Sequence, residues 1–142
     1  MLEVTAAIIR QDNKILICQR PASKNCGLLW EFPGGKIEPG ETGEQCIIRE
    51  CQEELGVTLH VHKEVIDVVY EYPDRTVHLH FYLCDIVAGT LENKEHAEFR
   101  WISRKEIPQF EFCPADAKIL SLVDMDSQRP QKILCNRQSL TV

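Results

Sequence analysis

The stretch from Pro33 to Val57 constrains this chain more than any other, because it writes a short helix with both ends marked and two chemically opposed faces. Pro33-Gly34-Gly35 and Pro39-Gly40 frame a tight loop, and Thr42 followed three residues later by Gln45 has the form of a capping box. Gly56 supplies the residue that ends the helix near Leu55. At about 100° per residue, Ile47, Ile48, Cys51 and Leu55 fall on one face, while Glu50, Glu53 and Glu54 crowd the neighbouring one. A helix that is apolar on one side needs a second layer to cover it.

The flanking sequence offers strands for that layer. Leu2 to Arg10 is rich in Val, Ile and Ala, Asp12-Asn13 makes a turn, and Lys14 to Cys18 is a second apolar run, so the two read as a strand pair. Arg20 to Leu29 contains Pro21, Ser23, Asn25 and Gly27 and reads as a loop long enough to cover or line a pocket before a short strand at Trp30-Glu31-Phe32. Val57 to Tyr70 and Thr76 to Ile86 form a long hairpin about Pro73-Asp74, in which Val77, Leu79, Phe81 and Leu83 alternate with His78, His80, Tyr82 and Cys84. Phe99 to Ile102 is one more strand, and Ala115 to Val123 a second helix after Pro114. The expected class is α/β, a mixed sheet between helices in an α/β/α sandwich, with residues 1–124 as one domain. Residues 125–142, polar from Asp126 to Gln131, are expected to form a flexible tail, with docking of Ile133-Leu134 as the alternative.

Charge narrows the ligands. Twenty-two Asp and Glu against 16 Lys and Arg leave a formal charge of −6, which removes the electrostatic attraction that polymeric nucleic acid requires. A small polyanion stays accessible when a divalent cation stands between carboxylates and phosphates. The seven cysteines (Cys18, Cys26, Cys46, Cys51, Cys84, Cys113, Cys135) include no C-x-x-C pair and suit neither a disulfide framework nor a zinc site, so a reducing cytoplasm is the expected setting. Glu3, Arg10, Asp12 and Lys14 interrupt any apolar leader, and no run approaches the roughly 18 apolar residues of a membrane span.

Three glutamates at i, i+3 and i+4 repel one another, and a solvated acidic face with an Arg49–Glu53 pair is the bland explanation. A hard divalent cation turns the same stripe into a ligand set, since Mg²⁺ takes a few carboxylates and leaves its remaining positions to water and substrate phosphate. The context favours the second. Gly35, Glu41, Arg49-Glu50-Cys51, Glu53-Glu54 and Gly56-Val57 are nine positions within 23 residues that resemble the Nudix box, G-x5-E-x7-R-E-U-x-E-E-x-G-U with U a bulky aliphatic. Cys51, at the first U, is the departure, and as a small buried hydrophobe it still lets the helix pack.

The resemblance, which covers about residues 2–123, implies a hydrolase of nucleoside diphosphate linkages with a loop-helix-loop box on an α/β/α sandwich. It is nearest to the MutT-like branch, whose members release a nucleoside monophosphate and pyrophosphate. Carried over by similarity, Glu50, Glu53, Glu54 and the Gly34 carbonyl hold Mg²⁺, for which Mn²⁺ is a substitute, and Glu53 or Glu50 activates the attacking water. Glu41 and Arg49 read as structural. Glu95, in a loop ahead of Trp101, is a further metal ligand by the same likeness. Arg20, Glu31, Phe32, Pro33 and Gly34 correspond to nucleotide-contacting positions, and Asp116 to a base-reading residue. MutT-type enzymes carry asparagine at that point; aspartate only accepts hydrogen bonds when ionised, which suits the cytosine amine, or an oxidised guanine if it is protonated.

An 8-oxo-dGTP diphosphatase is therefore the leading expectation, with a CTP or dCTP pyrophosphohydrolase second and a non-catalytic nucleotide sensor as the reading from another class. The expected partner is a small nucleotide, with no polymeric nucleic acid and no membrane, and the chain is expected to be a monomer or homodimer. His60/His62 and His78/His80 alternate on strands but are taken as strand faces, because no carboxylate or cysteine is evident to complete a zinc site.

Overall fold

The computed structural model describes residues 1–120 and 140–141. Its order is β1 (Leu2–Gln11), β2 (Lys14–Gln19), β3 (Trp30–Glu31), β4 (Gly34–Lys36), α1 (Gly43–Leu55), β5 (Val57–Tyr72), β6 (Arg75–Gly89), β7 (Glu98–Ile102), α2 (Pro114–Leu120) and β8 (Leu140–Thr141). The strands join in one mixed sheet of order β3-β2-β1-β6-β5-β8, with β4 added to β1 and β7 to β2. β1 runs parallel to β6, and the β1–β2 and β5–β6 pairs are antiparallel hairpins. Asp12 and Asn13 turn the first hairpin with φ of 52° and 62°, left-handed values that Asn and Asp tolerate best after glycine.

Strict alternation sends side chains to two separate cores. Ala6, Ile8, Ile15, Ile17, Leu79 and Phe81 pack on the face covered by α2, through Ala115 and Ile119. Ala7, Ile9, Leu16, Cys18, Tyr82 and Cys84 pack on the other, against Ile47, Cys51 and Leu55 of α1. This is the expected α/β/α layering, and Cys51 fills its place at no exposure at all. The capping box forms as the sequence spells it, with Gln45 N–H donating to Thr42 Oγ1 at 3.1 Å and Thr42 N–H to Gln45 Oε1 at 2.9 Å. Gly56 ends the helix at φ 72°.

Two elements within the expected domain lie outside the sequence reading. Gly34–Lys36 is a short strand rather than only loop, and Arg104–Gln109 forms a 3₁₀ turn. α2 is described to Leu120, so the expected extension to Val123 lies outside the described residues, as does docking of Ile133-Leu134. Most of the expected tail lies there too, although Leu140 and Thr141 pair in parallel with Val68 and Val69 of β5.

The histidines of β6 differ from expectation. β6 pairs Glu3 of β1 beside His78, and Asp67 of β5 beside His80. Carboxylates therefore do surround His78 and His80, contributed by neighbouring strands that linear spacing does not bring together.

Candidate active site

The site begins with the antiparallel pairing of β4 on β1, which sets Gly34 opposite Ala6 and Gly35 opposite Thr5. A Cβ on Gly34 would collide with the Thr5 carbonyl, and one on Gly35 would occupy the position of the Glu50 carboxylate. The two glycines thus let α1 lay an acidic side chain directly on strand backbone. Thr5 supports the junction by donating from Oγ1 to the Gly35 carbonyl at 3.1 Å.

Arg49 ties loop to helix. It donates from Nε to Glu41 Oε2 at 2.6 Å and from Nη2 to Glu41 Oε1 at 2.9 Å, and reaches the Lys36 carbonyl at 3.2 Å. Its Nη1 lies 3.3 Å from Glu50 Oε2 and 3.2 Å from Glu53 Oε1. The pairing holds the Glu41 carboxyl down to about 2.

Glu50 and Glu54 are largely buried, with side chains 15% and 14% exposed, whereas Glu53 is 58% exposed. Burial pushes the Glu50 carboxyl up, and burial followed by the neighbouring Glu50, Glu31 and Glu95 pushes Glu54 up to about 9. Glu54 Oε1 and His96 Nδ1 are buried without a hydrogen-bond partner among the described residues. The segment that brings Glu95 in is pinned to the end of α1, through Glu92 N–H to the Leu55 carbonyl at 2.8 Å and Lys94 N–H to the Glu54 carbonyl at 3.2 Å. His96, which the sequence reading did not single out, lies with Nε2 3.5 Å from Glu54 Oε1 and 3.6 Å from Glu31 Oε2.

These groups line a cleft of about 520 Å³. Gly34, Glu50, Glu54 and Glu95 line it together with Arg20, Glu31, Phe32 and Asp116. Glu53 and Pro33 do not line it: Glu53 stays on the outer acidic stripe with Arg49, and the Pro33 carbonyl accepts from Ala7 N–H at 2.7 Å. Arg20 donates to Glu31 Oε1 at 3.0 Å and to the Asn25 carbonyl at 2.6 Å, fixing the expected loop over the cleft. Asp116, buried to 6% exposure, accepts from Phe32 N–H through Oδ1 at 3.0 Å. Burial, then Glu31, pushes its carboxyl far above the usual range. Phe32 itself is 3% exposed and packs edge-on against Phe81, so its part in the cleft is largely backbone.

A concentration of buried acids with an orphaned carboxylate oxygen is costly by itself. Oxygen donors of this kind fit a hard divalent cation, which would remove the repulsion that raises Glu54. Among the described residues no helix is long and apolar enough to cross a membrane.

Comparison with known proteins agrees with this geometry. The NUDIX domain profile matches residues 4–122. The chain is 43% identical over 120 residues to the CTP pyrophosphohydrolase of Escherichia coli K12, covering 84% of this chain and 89% of that one. It is 37% identical over 121 residues to the 8-oxo-dGTP diphosphatase of the same organism, covering 84% and 94%. The solution structure of the E. coli ORF135 protein superposes with a TM-score of 0.74 at 42% identity, over 85% of this chain and 86% of that chain.

Proposed function

This chain belongs to the NUDIX family, and from that premise we propose that it is a magnesium-dependent nucleoside triphosphate pyrophosphohydrolase that releases a nucleoside monophosphate and pyrophosphate. The observation that carries the reading is the convergence of Glu50, Glu54, Glu95 and Gly34 on one cleft that Arg20 and Asp116 also line. Glu50, Glu53, Glu54, Glu95 and the Gly34 carbonyl are the residues assigned to the cation. When bound, Mg²⁺ supplies neutralisation of phosphate charge and a lowered pKa for water.

The protein's own part is placement. Arg49 holds Glu50 and Glu53 within reach of one guanidinium, so each carboxylate keeps its position without needing the other. Either is a candidate to take the proton from the attacking water; Glu50 lines the cleft, and Glu53 stands outside that lining, paired with Arg49. Arg20, already ordered by Glu31 and Asn25, is one of the cations offered to the nucleotide by the cleft lining, beside Lys24, Lys36 and Arg75.

Asp116 is assigned to the base. Its Oδ1 is taken by Phe32 N–H, which leaves Oδ2 as the reading atom. Burial favours the protonated form, and a donor there suits O6, an acceptor that guanine carries whether oxidised or not; the 37% identity to an 8-oxo-dGTP diphosphatase makes 8-oxo-dGTP the first substrate. A second reading, cytosine, is supported by the 43% identity to a CTP pyrophosphohydrolase; here an ionised Oδ2 would accept from the exocyclic amine. Pyrophosphate release from 8-oxo-dGTP, CTP, dCTP, 5-methyl-dCTP and the ordinary dNTPs, with and without Mg²⁺, tests both. Cleavage of none of them would overturn the triphosphate assignment.

A further inference from the structure

On the α1 side of the sheet, away from the cleft lining, His78 and His80 project from β6 as an i, i+2 pair with ring centroids 4.1 Å apart. Register sets Glu3 of β1 beside His78, on the same face. Glu3 Oε1 lies 2.9 Å from His78 Nδ1 and 2.8 Å from His80 Nε2, so one ring nitrogen from each histidine is aimed at a single oxygen. The ligand atoms of all three lie within 4.8 Å of one another.

The outward nitrogens are held as well. His78 Nε2 is 2.6 Å from Asp67 Oδ2, and His80 Nδ1 is 2.9 Å from Glu64 Oε2. This is a carboxylate–histidine relay repeated twice, the arrangement that fixes the tautomer and ring direction of metal-binding imidazoles. A surface ion pair requires no such division of labour between the two nitrogens of each ring. The side chains of His78 and His80 are 20% and 17% exposed, and that of Glu3 is 44% exposed, which gives an ion an entry path and room for water to complete its coordination.

We propose that Glu3, His78 and His80 form a second metal site, for a borderline transition ion such as Zn²⁺, with Asp67 and Glu64 as the outer carboxylates that orient the two rings. Two imidazoles and one carboxylate match zinc and its neighbours and discriminate against Mg²⁺, whose preferred ligands are oxygens. The site joins β1, β5 and β6. Two residues along the same face of β1 from Glu3 stands Thr5, whose hydroxyl supports Gly35, so the ion would brace the strand on which the cleft is built.

The test uses the full chain stripped by chelator, its accessible thiols alkylated, in excess Mg²⁺ so that the acidic cleft is occupied, with Zn²⁺ alone titrated calorimetrically. The expected result is one equivalent of saturable Zn²⁺ uptake, kept in Glu53→Gln and weakened by at least about 100-fold in His80→Asn. Should His80→Asn fail to fold, Asp67→Asn keeps all three ligands and loses about 10- to 100-fold in affinity through the outer shell alone. Co²⁺ in place of Zn²⁺ should give ligand-field bands without thiolate charge transfer. No saturable uptake, uptake indifferent to both His80→Asn and Asp67→Asn, or a thiolate band would each overturn the proposal and leave an ion-pair cluster.

Discussion

Arg49 grips both carboxylate oxygens of Glu41, at 2.6 and 2.9 Å, and so closes the loop between β4 and α1 onto the helix that carries the acidic stripe. Two parallel charge-assisted bonds give this pair a geometry that lysine lacks. Because Arg49 also contacts Glu50 and Glu53, Arg49→Lys should loosen the loop and the acids together, lowering kcat by about 10- to 100-fold while the protein stays folded. The pH dependence follows from Glu41. Its folded-state pKa is about 2 against an ordinary 4.5, so its contribution to stability is full above 4.5 and is lost as pH falls from there through about 2. The Tm gap between wild type and Glu41→Gln should hold steady at neutral pH and shrink in acid. A gap that widened in acid would mean that the pairing does not depress Glu41.

Adjacent glycines should fail differently. An added methyl at Gly34 meets the Thr5 carbonyl and Ala6 Cα, which are backbone and cannot yield, whereas the atoms nearest one at Gly35 belong to the Glu50 carboxylate, the end of a flexible side chain. Gly34→Ala is expected to cost several kcal/mol of stability, about 2–4, by prising β4 from β1. Gly35→Ala should leave thermal unfolding within a few degrees of wild type yet reduce turnover by about 100-fold, by displacing Glu50. Equal Tm values with equal activities for the two variants would contradict this division.

The helix, its caps and both strand hairpins were legible because each is a local signal: Thr42 with Gln45, Gly56, Asp12-Asn13 and the alternation from Val77 to Cys84 all act within a few residues. The cleft acids were legible only through the box spacing and its family likeness. His96 was not, since nothing local says that the segment after Gly89 folds back on the end of α1; its position depends on hydrogen bonds to Leu55 and Glu54 made from Glu92 and Lys94. The same limit hid the carboxylates around His78 and His80. Glu3 lies 75 residues from His78 in sequence and beside it in register, a relationship that parallel pairing creates and no periodicity encodes.

Glu54 should show a trade between stability and activity. Its carboxyl is raised to about 9 by burial and by Glu50, Glu31 and Glu95, and Oε1 has no hydrogen-bond partner among the described residues, so without a cation the ionised form weakens the fold. Glu54→Gln is expected to raise Tm in chelator by about 2–5 °C while reducing activity by about 100-fold or more. Mg²⁺ should raise the Tm of the wild type and do so much less in the variant, because only the native chain binds the ion through that oxygen. Loss of both stability and activity in Glu54→Gln would identify Glu54 as a structural acid.

Asp116 provides the sharpest test of substrate choice. In Asp116→Asn the new amide oxygen would still accept Phe32 N–H, preserving the contact that Oδ1 makes now at 3.0 Å, and the amide nitrogen would present a permanent donor where Oδ2 stands. Removing a carboxyl that burial already disfavours carries little structural risk, so Asp116→Asn should melt at or above the wild-type temperature. If Oδ2 reads an oxidised guanine as a donor, kcat/KM for 8-oxo-dGTP should be kept within about threefold, and any turnover of CTP that relied on an acceptor should fall by about 10- to 100-fold. A fall confined to 8-oxo-dGTP would reverse the assignment of Oδ2 from donor to acceptor for that base. An equal fall for every nucleotide would remove Asp116 from base recognition and return it to the single role of holding Phe32 in the wall of the cleft.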